Sequence, residues 1–214
     1  YVVPLGRALA AELARHVRRS SGSVVVLPQP GDTRRFRPLA AADKATLKRR
    51  LGLDAARRTV LFVGRLTYLK GADRLVEIAR RVGQASTGFQ FCVIGQGDYG
   101  AALAALPRDL VNLNDAVPHD EVHVYFQAAD LVILPSRTEG LPNVVLEALA
   151  TRVPVIASPV GEIPDWVGAL ATEPEDYARR IMAGDWTVDP LPADLAWERQ
   201  EAAYRDLFAR VICG

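Results

Sequence analysis

From Thr59 onward, short continuous apolar runs alternate with stretches in which apolar residues recur every three or four positions. The runs are Val60 to Val63, Phe91 to Ile94, Leu131 to Leu134 and Pro154 to Ala157. Strands buried on both faces read this way, because neither side of the sheet meets water. Between the runs, Leu75, Ile78, Ala79 and Val82 form one helical stripe, and Val122, Tyr125, Phe126 and Ala129 form another. A shorter strand is predicted near Leu110 to Leu113, and a helix over about Glu175 to Met182. Such alternation predicts an α/β fold, a parallel sheet with helices on both faces.

The flanks read differently. In residues 1–58, Leu5, Leu9, Leu13 and Val17 lie on one stripe of a basic helix, Val24 to Leu27 reads as a strand, and a helix is predicted near Asp43 to Arg50. Residues 59–188 carry the alternating pattern. The Pro-rich Asp189-Pro190-Leu191-Pro192 then reads as a linker into a last helix, residues 189–214, whose apolar stripe is Trp197, Tyr204, Leu207, Phe208 and Val211.

Charge divides the chain at the same place. Residues 1–58 hold 13 Lys or Arg against 4 Asp or Glu, a net +9, and the remainder holds 13 against 21, a net −8. A basic front end suits an acidic partner or an anionic membrane surface, and it equally suits a solvated arginine-rich face. With no aromatic interleaving and no zinc spacing, nucleic acid is not expected as a partner. Two cysteines, Cys92 in an apolar run and Cys213 near the end, give neither a disulfide framework nor a metal pattern, which points to a reducing, cytoplasmic setting. No stretch reaches membrane-spanning length.

The unusual residues gather at the predicted strand ends. In a parallel sheet the loops after the strands share one edge, and ligands sit in the crevice there. Gly64-Arg65 follows the first strand, Gly95-Gln96-Gly97-Asp98-Tyr99-Gly100 the second, Glu139 a later one, and Ser158-Pro159-Val160-Gly161 the next. Arg65 and Lys70, one at a strand end and one at a helix start, suit a pyrophosphate. The run from Gly95 to Gly100 matches the dinucleotide fingerprint, with Asp115 twenty residues beyond its first glycine. That fingerprint normally occupies the first strand-to-helix turn, whereas Val60 to Gly64 already supplies an earlier strand, so a tight packing turn is an equal alternative.

Glu139 and Glu147 are the other candidate pair. Positions eight apart on one helix lie roughly 80° out of line, so the two make one site only if Glu139 precedes the helix. Pro142 is favoured at a first helical position, which predicts a helix beginning near Pro142. Glu139 then lies in the loop, Glu147 on the second turn, and the free N–H groups near Asn143 and Val144 face the space between them. The expectation is a pocket with two acceptors and an anion-attracting floor.

Three strings, in order, carry a resemblance. They are Val-Leu-Phe-Val-Gly-Arg-Leu-Thr-Tyr-Leu-Lys-Gly-Ala-Asp at residues 60–73, Val93-Ile94-Gly95-Gln96-Gly97, and Leu-Pro-Ser-Arg-Thr-Glu-Gly-Leu-Pro-Asn-Val-Val-Leu-Glu-Ala-Leu-Ala at residues 134–150, followed by Val153-Pro154-Val155-Ile156-Ala157. Together they resemble family 4 (group 1) glycosyltransferases, which use the two-domain GT-B architecture. The resemblance covers the Rossmann-like nucleotide-sugar-binding half, from about Asp32 to the last helix, and implies a separate N-terminal acceptor domain that this chain is too short to contain. It implies that Arg65, Lys70 and Glu139 are catalytic: the two cations hold the donor pyrophosphate as leaving group, and Glu139 meets the donor sugar near its reacting carbon. It also implies that Glu147 accepts both ribose hydroxyls, that backbone N–H groups of Gly140, Leu141, Asn143 and Val144 bind sugar or phosphate oxygens, that Val117 meets the base edge, and that Gly64 and Gly95 line the donor site. The implied reaction retains configuration at the anomeric carbon. With no Asp-x-Asp anywhere in the sequence, no metal and no cofactor beyond the donor are expected.

Three positions depart from the family pattern. Thr151-Arg152 stands where Cys-Gly is usual, Gln29-Pro30-Gly31 replaces an Asn-Gly turn, and Glu162 replaces the second glycine of a Gly-Gly-Ile-Pro turn. A non-glycine residue at positive φ is uncommon, so either the turn at Glu162 differs from the family's or its contact with the donor sugar does.

Overall fold

The structure, a computed structural model, describes residues 31–195 and 197–213 together with Ala10, Ala11, Leu13, Arg15 and Leu27. Ala10, Ala11, Leu13 and Arg15 are helical, while the expected strand at Val24 to Leu27 and the rest of the first helical stripe lie outside the described residues, Leu27 apart. In chain order the named elements are α1 (Ala41–Arg50), β1 (Arg58–Val63), α2 (Ala72–Ala85), β2 (Phe89–Ile94), α3 (Gly100–Ala104), β3 (Val111–Asn114), α4 (His123–Ala128), β4 (Leu131–Leu134), α5 (Asn143–Ala150), β5 (Val155–Ala157), α6 (Pro174–Ala183) and α7 (Trp197–Cys213).

The five strands form one sheet in the order β3-β2-β1-β4-β5, parallel throughout. Val60 at the centre pairs with Phe91 on one side and Leu131 on the other. Because side chains alternate across a strand, neighbours on β1 serve different cores. Val60 and Phe62 pack with Leu75, Ile78 and Val82 of α2 and with Tyr177 of α6. Leu61 faces the opposite layer, with Phe126 of α4 and Val145 and Leu149 of α5. Helices therefore cover both faces, and β2 and β4 are buried along their whole length, as their continuous apolar runs require. Each fully buried large side chain contributes about 1.5–3 kcal/mol. Cys92 is part of this interior: burial pushes its thiol up to about 12, so it stays neutral and unreactive.

The segment before β1 shares the second core. Phe36 is buried with its ring edge-on to Phe126 at 5.4 Å. At the amino end of the sheet, Asp130 accepts from Lys44 at 2.8 Å, from Lys48 at 2.5 Å and from the Thr59 N–H at 2.8 Å. Burial pushes the Asp130 carboxyl up, but these donors outweigh it and hold the group below the usual carboxylate range. Helix α1 is thereby tied to the starts of β1 and β4.

The last helix differs from its expected stripe. Leu207 is buried, but Trp197 and Phe208 are 41% and 59% exposed. Helix α7 makes its contacts, among the described residues, mainly with the turn Ala193–Leu195 rather than along the sheet. Among the described residues, no helix is long and apolar enough to cross a membrane.

Candidate functional site

Winding outward from β1 to β3 and then back across to β4 makes the chain change direction between β1 and β4. Ligands bind α/β sheets at that switch, outside the carboxyl ends of the strands. An open cleft of about 540 Å³ lies there, lined by Gly64 and Arg65 after β1, Ile94, Gly95 and Gln96 after β2, Val117 after β3, and Asn143, Val144 and Glu147 of α5. Seven of the eleven residues singled out in the sequence thus meet in one place. Lys70, Glu139, Gly140 and Leu141 do not line this cleft.

The cleft walls are held by backbone bonds that continue the sheet past its strands. Gly64 N–H donates to Ile94 at 3.0 Å, Gly95 N–H to Asn114 at 3.1 Å, and Leu66 N–H to Gln96 at 2.8 Å. A side chain on Gly95, which has φ 146°, would put its Cβ 1.9 Å from the Gly64 carbonyl oxygen. The glycine run is therefore a packing turn between two loops, and the helix after it, α3, has only five residues. This supports the packing alternative over the dinucleotide fingerprint.

Glu147 occupies the floor of the cleft on the second turn of α5. It is 7% exposed, and no hydrogen bond or ion pair reaches its carboxylate from the described residues. Burial pushes its pKa up from the ordinary value, and the negative charge of Asp32 adds to the effect, to about 7. A carboxylate in that state gains most from hydroxyl donors, which stabilise the ionised form.

Glu139 lies in the loop between β4 and α5, as expected, but not in a shared pocket with Glu147. Its side chain is 6% exposed. Lys70 Nζ donates to both of its oxygens at 2.7 Å, and Ser136 Oγ donates to Oε1 at 2.7 Å. The expected pocket with two free acceptors is therefore corrected: one carboxylate faces the cleft, and the other is turned away by a cation and a hydroxyl that satisfy it.

Arg137 braces this corner and was not singled out in the sequence. Its guanidinium donates to Asp73 Oδ1 and Oδ2 at 2.6 and 2.7 Å and to the Tyr68 carbonyl at 2.7 Å, and it lies 3.6 Å from the centroid of the Tyr68 ring. Those hydrogen bonds hold the Asp73 carboxyl below the usual range. Loops 66–71 and 135–142 are thus clamped together, through a contact 64 residues apart that no local spacing signals. Gln96, part of the strand-end run already noted, also lines the cleft, and the lining residues not assigned to the site in the sequence include Ala116, His119 and Val122. A lone His in a loop carries no spacing signal.

One local expectation shifts and another is decided between its alternatives. Pro142 precedes α5 as its cap, with φ −77° and ψ 120°, rather than opening it at the first helical position; its carbonyl accepts from Val145 N–H at 3.1 Å. Glu162 is not at positive φ: it sits at φ −87° in the right-handed region, and the left-handed position of that turn belongs to Gly161 at φ 59°. A Cβ on Gly161 would lie 2.3 Å from the Glu139 carbonyl oxygen, so the glycine stands where the loops cross. Strain falls on Arg152, which has φ 58° and is the non-glycine residue at positive φ among those described. It closes α5 with Val153 N–H bonded to the Ala148 carbonyl at 2.9 Å, the turn in which glycine is favoured.

A doubly wound sheet with a ligand-sized cleft at its switch point defines an α/β binding domain of the Rossmann-like type. The sequence model of the family Glycosyl transferases group 1 matches residues 57–183, and the chain belongs to that family. D-inositol 3-phosphate glycosyltransferase of Segniliparus rotundus is 31% identical over 197 residues, which are 87% of this chain and 41% of that protein. The chain thus spans well under half the length of that relative. Among solved structures, sucrose-phosphate synthase of Thermosynechococcus elongatus superimposes with a TM-score of 0.77 at 24% identity, covering 99% of this chain and 58% of that one. Anabaena HepE, solved in complex with UDP-glucose, gives a TM-score of 0.71 at 20% identity, covering 85% and 53%. These likenesses establish the fold as that found in GT-B glycosyltransferases.

Proposed function

We infer that this chain is the donor-binding part of a glycosyltransferase that takes a sugar from a nucleotide-diphosphate sugar with retention at the anomeric carbon. The observation that carries the reading is the convergence of Gly64, Arg65, Gly95, Val117, Asn143, Val144 and Glu147 on one cleft at the switch point. Family membership and the donor named in the HepE structure support it.

In this reading Glu147 accepts the two ribose hydroxyls. Arg65 and the N-terminal amides of α5 neutralise the pyrophosphate, aided by the positive end of the helix. Lys70 is held by Glu139, and a pyrophosphate would compete with that carboxylate for the ammonium. Its transfer to the phosphate would stabilise the leaving group and release Glu139 toward the sugar, so that charge stabilisation and positioning drive the reaction without a metal. Gly140 and Leu141, on the same loop as Glu139, come into play at that end of the donor. The acceptor binds to a further domain of the full-length enzyme.

Titration of the protein with UDP-, GDP- and ADP-sugars and with NAD(P) tests the class of ligand. The reading expects binding of at least one nucleotide sugar and none of NAD(P); the reverse result overturns it in favour of an oxidoreductase half. Sugar transfer by the full-length enzyme, lost in Glu139→Gln while donor binding persists, separates catalysis from a module that only binds nucleotide.

A further inference from the structure

Two side-chain ties hold loop 66–71 against loop 135–142, and they are made by cations of different kinds. The first is Lys70 on Glu139, a compact ammonium on a flexible four-carbon stem. It is 28% exposed and, drawn to Glu139, does not line the cleft. The second is the Arg137 side chain, a planar fork with both arms on Asp73 in the first turn of α2, one arm also on the Tyr68 carbonyl, and its centre against the Tyr68 ring. A bidentate arginine–carboxylate pair fixes direction as well as distance, and Asp73 already neutralises the guanidinium. The loops also meet through Arg137 N–H on the Leu69 carbonyl at 2.9 Å and through Arg74 on the Pro135 carbonyl at 3.3 Å. They touch closely: a Cβ on Gly71 would lie 2.0 Å from the Pro135 carbonyl oxygen.

We propose that Arg137 is a positioning residue for the donor diphosphate: its side chain is the tie that keeps the two loops together when Lys70 leaves Glu139 for the pyrophosphate. The inference rests on the nucleotide-sugar reading of the cleft and adds to it the group that lets the lysine exchange partners. In the free protein both ties are closed. A diphosphate that takes Lys70 opens one of them, and the loop carrying Lys70 is then held to the loop carrying Glu139 chiefly by Arg137. Without the Arg137 side chain the free protein keeps the Lys70–Glu139 tie while the bound protein keeps neither, so the loss falls on the bound state and appears as weaker binding. A ligand with no phosphate leaves Lys70 in place and loses nothing.

The test compares UDP with uridine by NMR titration of the native protein, Arg137→Leu, Arg137→Lys, Lys70→Met and the variants that combine Lys70→Met with each change at Arg137, all checked for folding by circular dichroism. Arg137→Leu should weaken UDP about tenfold, the scale of a hydrogen bond to a charged group, and leave uridine within about twofold. Arg137→Lys keeps one ion pair with Asp73 but neither the fork nor its place on Tyr68, so it should weaken UDP about threefold; it carries both comparisons if the leucine variants do not fold. In the Lys70→Met background no exchange takes place, and adding Arg137→Leu should change UDP affinity by less than about twofold, a non-additivity that marks coupling through Lys70. Equal losses for UDP and uridine, the same loss of UDP affinity with and without Lys70, or unchanged UDP affinity in Arg137→Leu each overturns the positioning role while leaving the nucleotide site in place. Native protein that binds UDP no more tightly than uridine removes the pyrophosphate role on which the positioning depends, and native protein that binds neither removes the donor-site reading as well.

Discussion

Glu139 and Glu147 stand eight residues apart at the same edge of the sheet, and both carboxylates are largely withdrawn from water. Around Glu139 the chain has assembled an ammonium and a hydroxyl, three hydrogen bonds at 2.7 Å in all. Around Glu147 it has left a carboxylate at the floor of a cleft, where burial and then the charge of Asp32 push the carboxyl up to about 7. Burial alone does not distinguish structure from site. A buried carboxylate with its partners in place stabilises the fold, and one left to face a cleft stores a cost that a ligand can relieve.

The contrast can be broken at the satisfied end. Glu139→Ala leaves Lys70 without its partner, and breaking a largely buried pair should destabilise the protein by roughly 2–3 kcal/mol, reduced from the fully buried case because Lys70 is 28% exposed. Chemical denaturation measures it, and a loss below half a kcal/mol would deny the pair its structural role.

Glu147→Gln should move stability the other way. The folded pKa of Glu147 is raised from 4.5 to about 7, so the native state binds the extra proton and stability falls as pH rises across that window. Removing the charge relieves the full cost above pH 7, roughly 3–4 kcal/mol at about 1.4 kcal/mol per pKa unit. Thermal denaturation should show Glu147→Gln more stable than native at pH 8 and nearly equal at pH 4.5. A destabilised variant at pH 8 would mean the carboxylate has partners after all.

The smallest effect concerns the far end of the same helix. Arg152 holds φ 58° at the close of α5, a conformation costing a non-glycine residue about 1–2 kcal/mol. Arg152→Gly should stabilise by about 1 kcal/mol and raise Tm by about 2–4 °C. Since Arg152 touches neither carboxylate in any recorded bond, nucleotide affinity should be unchanged, which would show that strain at one end of α5 is independent of the site at the other.

Most of the sheet was legible because β1, β2, β4 and β5 are buried on both faces and read as largely apolar runs, whereas the edge strand β3, with Asn112 and Asn114, is only partly buried. The helical stripes of α2 and α4 were legible for the same reason, since each faces one core. Trp197 and Phe208 misled because an apolar stripe records that something is to be covered, not that this chain covers it. At the site, the positions after the strands were legible from topology, whereas the Lys70–Glu139 pair and the Arg137 clamp join loops more than 60 residues apart. Which of two similar glutamates keeps a free carboxylate depends on such long-range partners. Glu162 and Arg152 both stand where the family pattern has glycine, and only the folded loop decides which of them carries positive φ.

The claim that this cleft is a nucleotide site anchored by Glu147 is tested most directly by calorimetric titration of UDP into native protein and Glu147→Gln at pH 6, 7 and 8. If ribose hydroxyls bind the ionised carboxylate, native Kd should fall by several-fold to about tenfold from pH 6 to pH 8 and level off above the pKa near 7. Binding near pH 7 should release a fraction of a proton, and Glu147→Gln should bind more weakly at pH 8 with no pH dependence. Equal, pH-independent affinity in the two proteins would contradict the account.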